Sequence, residues 1–109
     1  MARVFLVGRL AETIKTTKAN GTVVANFTII DNDVKGGKEF VKCTAWNNPA
    51  LELEKHTHKG MLIEIYGHLK TSKQLVDNKY QVIHTFVQVE EYKYLEAKKK
   101  DYSLFDLET

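Results

Sequence analysis

The sequence predicts an all-β protein: a five-stranded barrel with one short helix between its third and fourth strands. Three observations predict it. Five runs rich in Val, Ile, Leu, Phe and Tyr are separated by short stretches carrying Gly, Asn and Asp. Only one segment, between the third and fourth runs, carries the start and stop signals of a helix. Two glycines, Gly8 and Gly67, interrupt apolar runs near their ends, where a missing side chain permits the bend or bulge by which a small barrel turns a corner.

In chain order, the first strand is MARVFLVGRL (1–10). The second, TVVANFTIID (22–31), follows a turn at Asn20-Gly21, and the third, EFVKCTAW (39–46), follows Gly36-Gly37. The helix is NPALELEKHTHKG (48–60): Asn48 suits the cap, Pro49 the first turn, Glu52 and Glu54 the positive end, and Lys59-Gly60 the close. Ala50, Leu53, His56 and Thr57 share one weakly apolar side, which rests on the sheet. MLIEIYGHLK (61–70) and YQVIHTFVQVEEYKYL (80–95) are the last two strands, parted by a polar turn at Asp77-Asn78. Three strands, a helix and two strands is the order of the OB barrel; on pattern alone an SH3-like barrel or a sandwich stays open.

A chain of 109 residues suits one domain with its own core, here residues 1–96, followed by a short charged tail, 97–109. With 43% hydrophobic and 28% charged residues, the chain is composed to fold. The single cysteine, Cys43, leaves no partner for an internal disulfide, which points to a reducing compartment such as the cytoplasm. VFLVGRL is broken by Gly8 and Arg9, too short an apolar run for a membrane segment, so no membrane association is expected. Net charge is only +2, but it is unevenly placed: residues 1–89 carry 12 Lys and Arg against 8 Asp and Glu, and residues 90–109 carry 4 against 6. A basic body with an acidic end suits a polyanion-binding domain with a tail of different purpose, as well as an ordinary solvated surface.

The stretch EFVKCTAW carries the functional argument. Side chains alternate across a strand, so Phe40, Lys42, Thr44 and Trp46 share one face and Val41, Cys43 and Ala45 the other. Facing Lys42 inward would bury an unpaired ammonium, so the Phe40 side is expected to face outward. Two rings flanking a cation on an open sheet suit single-stranded nucleic acid, whose bases stack at about 1–3 kcal/mol each while phosphates take the lysine. The same pattern suits rings covered by the chain's own helix or tail, or by another subunit.

Taken together, VFLVGRL, NGTVVANFTI, FVKCTAW, the Lys59-Gly60 close and YGHLKT make the chain from about Arg3 to Leu95 resemble the bacterial-type single-stranded DNA-binding proteins, including their short phage-encoded relatives. The resemblance implies an OB fold that wraps single-stranded DNA without sequence preference or catalysis, in replication, recombination or repair. It places stacking aromatics at Phe40 and Trp46, a basic contact at Lys42, and Lys70 and Lys73 on the hairpin between the last two strands. Arg3, Lys35, Lys38 and Tyr80 complete the candidate set. It further implies a homotetramer, or a dimer, formed by first strands pairing between subunits, and a location in a bacterial cytoplasm or infected host cell.

Three departures qualify the resemblance. Gln74 stands where cellular relatives place another stacking tryptophan, with Tyr80 as a candidate substitute, and the hairpin VKGGK between the second and third strands is shorter than theirs and lacks their aromatic, so a weaker grip or smaller site is expected. The tail AKKKDYSLFDLET lacks the Gly/Pro/Gln-rich linker and Pro-Phe tip; Asp101, Phe105, Asp106 and Leu107 keep an acidic, apolar character suited either to replication or recombination partners or to docking on the body. His56, His58 and Cys43 lack the spacing of metal ligands, so no metal or other cofactor is expected. No constellation of acid, base and nucleophile marks an enzyme. The alternative from another class is an OB-fold protein-interaction module serving replication, and RNA remains a second polymer that stacking would accept.

Overall fold

A computed structural model describes residues 1–33 and 35–97. Within them run β1 (Arg3–Leu10), β2 (Thr16–Ala19), β3 (Thr22–Asp33), β4 (Gly37–Trp46), α1 (Asn48–His56), β5 (Leu62–Val76) and β6 (Lys79–Tyr94). The strands lie in the order β1-β5-β6-β4-β3-β2, and β1 also pairs with β3 through Arg9 with Ile30 and Leu10 with Ile29. That last pairing closes β1, β5, β6, β4 and β3 into a ring, the OB-like barrel that the sequence predicts. Among the described strands only β4 and β6 run parallel, joined at Cys43–Val87 and Thr44–Gln88.

The core follows from alternation on each strand. Leu6 and Leu10 of β1, Phe27 and Ile29 of β3, Cys43 and Ala45 of β4, Ile63 and Ile65 of β5, and Val87 and Val89 of β6 are buried together. Ala50 and Leu53 of α1 join them, so the helix plugs the barrel with its one apolar side. The two glycines act where expected. Gly67 sits at a register shift between β5 and β6, and a Cβ there would run into the Gln88 carbonyl oxygen. At Gly8 a Cβ would lie 2.5 Å from Ile29 Cγ2 and from the Ile30 oxygen, against the strand that β1 must approach to close the ring.

Five expectations need correction. A sixth strand, β2, precedes the Asn20-Gly21 turn and pairs with β3 alone; its sequence TTKA has almost nothing to bury, so apolar pattern does not reveal it. The last two strands extend well past Lys70 and begin before Tyr80, pairing to Val76–Lys79 at the tip, with Asp77 and Asn78 both at positive φ in the expected turn. The cap position of α1 is Asn47 (φ 57°), not Asn48, and no side chain caps it. The first turn holds no acid: Glu54 instead accepts hydrogen bonds from Thr16, 2.7 Å from its backbone N, while Glu52 pairs with His56 at 3.1 Å. The helix also ends early, at His56, where extended Thr57 donates its buried hydroxyl to the Leu53 carbonyl; Gly60 lies in the turn that leads into β5.

Candidate nucleic-acid interface

Strand β4 lies in the middle of the sheet, between β3 and β6, so its outward side chains form the floor of any groove on that side. The orientation argued from Lys42 holds. Cys43 and Ala45 are buried, Val41 packs against the core, Phe40 is 65% exposed, Lys42 is exposed and Trp46 is 40% exposed. Thr44 departs from the expectation of an open surface: it is only 7% exposed. Its short side chain is flanked by Asn26 of β3 and Gln88 of β6, and its hydroxyl donates to Asn26 Oδ1 at 2.8 Å. Burial also pushes the Cys43 thiol up to about 12, so it stays neutral beneath the groove, on the core side of the strand.

Two adjoining hollows run along this face. One, of about 660 Å³, is lined by Trp46, Thr44 and Lys42 of β4, Asn26 of β3 and His84 and Phe86 of β6. The other, of about 360 Å³, is bounded by Phe40 and Lys42 of β4, Leu69 of β5 and His84 and Phe86 of β6. Lys42, His84, Thr85 and Phe86 border both, so the hollows form one trough from Trp46 to Phe40 with β6 as its far wall. Apart from the neutral Cys43 thiol, the ionisable groups lining it are Lys42, His84 and Glu12. The trough therefore offers ring faces, a fixed cation and hydroxyl groups, which suits stacked bases and phosphates.

The structure thus brings Phe40, Lys42 and Trp46 together. The other candidates stand apart from the trough's lining. Lys70 and Lys73 are exposed on β5, opposite Phe86 and Val82, and Tyr80 is 74% exposed near the tip of the β5–β6 hairpin. Lys35 lies in the turn between β3 and β4, and Lys38 is exposed beside it, opposite Asn32. Arg3 borders a separate hollow of about 260 Å³ with Phe5, Tyr66, Glu90 and Glu91. That region is acidic: beyond desolvation, a hydrogen bond to Glu64 and the charges of Glu64 and Glu91 raise the Tyr66 hydroxyl above its ordinary value. Asp101, Phe105, Asp106 and Leu107 lie outside the described residues.

Sequence reasoning missed His84, Thr85 and Phe86. They reach the trough through the parallel β4–β6 pairing, which joins residues some forty positions apart and leaves no local signature. Among the described residues no three His, Cys, Asp or Glu side chains gather as a metal site would require. No described helix is long and apolar enough to cross a membrane.

Comparison with known proteins adds an independent line. A single-stranded DNA-binding protein of Lactiplantibacillus plantarum is 34% identical over 103 residues, covering 88% of this chain and 52% of that protein. One from Oceanobacillus iheyensis is 33% identical over 104 residues, covering 88% and 64%. The chain thus spans between half and two thirds of the length of these two relatives. The single-stranded DNA-binding protein 1 of Clostridium acetobutylicum is 32% identical over 109 residues, covering 92% of this chain and 98% of its own. The model of the single-strand binding protein family matches residues 1–95, nearly the whole described barrel, and the chain belongs to that family.

Proposed function

We propose that this protein binds single-stranded DNA without sequence preference, coating and protecting exposed strands during replication, recombination or repair. The observation that carries the reading is the trough on the β4 face, where Phe40 and Trp46 are exposed at either end of a groove with Lys42 between them. Bases would stack on the two rings and a phosphate would meet Lys42. Lys70, Lys73, Lys35, Lys38 and Tyr80 would extend the path along the two hairpins, and Arg3 would be a peripheral contact. Family membership and the names of the three relatives support the polymer. The protein acts by binding rather than by catalysis in this reading, and works in the cytoplasm of a bacterium or infected cell.

In this proposal residues 1–96 form the binding unit, and residues 97–109 are a tail for replication or recombination proteins. The unit assembles as a homo-oligomer, a tetramer or a dimer, and the outer edge of β1 over Arg3–Gly8, which meets no strand among the described residues, supports that assembly. An oligothymidine titration tests the binding itself. Stacking on Trp46 should quench its emission at micromolar strand or below, and log affinity should fall by about 0.7 per log unit of salt for each phosphate neutralised. Unchanged emission together with no bound strand at low salt would refute the proposal. An oligouridine arm of the titration reports any preference between the two sugars.

A further inference from the structure

We infer that His84 is a further strand-binding residue, a phosphate contact that requires a proton, so that the protein grips single-stranded DNA more tightly as pH falls from about 8 to 5.5. This rests on the trough being the binding site.

Three observations on the wall of the trough carry it. His84 borders both hollows, as Lys42 does, so it lies on the wall of the path that runs from Trp46 to Phe40. Its side chain is exposed, and among the described residues no hydrogen bond or ion pair engages its ring, so both ring nitrogens are available to an incoming group. The other three histidines are occupied elsewhere: His56 faces Glu52, His68 contacts Glu90, and His58 bonds the Lys59 carbonyl. None of them lines the trough.

The charges facing His84 decide what its proton would do. From β4 comes Lys42, and from the connection after β1 comes Glu12; these cancel, leaving the trough nearly neutral when the imidazole is neutral. From β3 the polar groups at the lining are those of Asn26 and Thr28, which carry no charge, and the Cys43 thiol is held neutral by burial. On β5 the residue opposite His84 is Ser72, with Lys70 and Lys73 exposed nearby. A proton added to His84 would therefore turn the trough from balanced to cationic, placing a second positive charge beside that of Lys42. It would supply an N–H to a phosphate oxygen, a charge-assisted hydrogen bond.

The test measures anisotropy of labelled oligothymidine against salt at about pH 5.5 and pH 8. Thymine and the phosphodiester keep their charge over this interval, so a change belongs to the protein. The parent protein should show a salt slope steeper by about 0.7 in acid, and, since that slope runs over the decade from 1 M to 0.1 M salt, roughly fivefold tighter binding at the lower salt. His84→Gln should keep the shallow slope at both pH values, and His84→Lys should show the steep one at both. A parent slope that does not change with pH, or a pH-dependent slope that survives in His84→Gln, overturns the role of His84 while leaving strand binding standing. Absence of binding at both pH values would overturn the binding reading and this inference together.

Discussion

Phe40 and Trp46 differ in what they offer a strand. Phe40 is 65% exposed near the open end of β4, whereas Trp46 is 40% exposed beside the start of α1, so Phe40 presents the freer ring and Trp46 the better-supported one. Each replaced by alanine should weaken oligothymidine binding by about 1–3 kcal/mol, roughly five- to 150-fold in Kd at fixed salt. The salt slope should stay unchanged, because neither ring neutralises a phosphate; a slope that falls with either substitution would show that the fold around Lys42 had shifted. Parent-like affinity in a folded double variant would remove the stacking assignment altogether. The outward face of β4 was legible in the sequence because one lysine in a strictly alternating run decides the direction of seven neighbours. The burial of Thr44 was not, because alternation fixes direction and not exposure: a short side chain in mid-sheet is covered by the taller groups on either side.

Strands β5 and β6 do two jobs with one hairpin. Near the barrel they bury Ile63, Ile65, Val87 and Val89, while from Thr71 to Thr85 they carry mostly exposed side chains. Within that outer part Lys73 faces Val82 and Leu75 faces Tyr80 across the ladder. The Asp77-Asn78 turn was readable because two residues at positive φ suit Asn and Asp. The strands leading to it were not, since TSKQLV has no buried side to impose a period. β2 escaped for the same reason, although an Asn-Gly turn is itself a hairpin signal and implies a strand before it as well as after. The hairpin's root depends on Gly67, where the strands shift register and the Gln88 oxygen occupies the space of a Cβ. Gly67→Ala should cost about 1–3 kcal/mol in urea denaturation, the usual penalty of overpacking. An unchanged midpoint would mean that the bulge relaxes freely.

At the scale of the whole molecule, closure and asymmetry matter most. Where the ring comes together, Glu96 accepts the Leu62 N–H at 2.9 Å and pairs with Arg9 at 3.0 Å, while Arg9 also donates to the Gly60 carbonyl, tying the end of β6 to β1 and β5. The Leu62 hydrogen bond first, and Arg9 after it, hold the Glu96 carboxyl below its ordinary value of 4.5 against a smaller opposing desolvation. A depressed carboxyl stabilises the fold at pH above its unfolded value, and that contribution disappears as pH falls through the folded one. Glu96→Gln should therefore melt below the parent at neutral pH, with the gap closing as pH falls below about 4.5; a gap that is constant with pH would mean the carboxylate contributes shape and no charge. The asymmetry appears on the surface. The trough is open and lined by one fixed cation and one fixed anion, whereas the β1–β5 side sets the Phe5 and Tyr66 rings 4.9 Å apart among Glu64, Glu90 and Glu91. Carboxylates there would repel a phosphate chain, yet Phe5 is 59% exposed and the outer edge of β1 over Arg3–Gly8 meets no strand among the described residues. An unpaired edge beside exposed rings is satisfied by an antiparallel copy of itself, which two-fold symmetry supplies. Phe5→Glu would set like charges against each other across such an axis. Light scattering should then report a mass reduced towards the monomer, while each barrel keeps its trough and still quenches with oligothymidine. A parent protein that is already monomeric at tens of micromolar, roughly the range in which weak interfaces dissociate, would leave that edge without a self-pairing role.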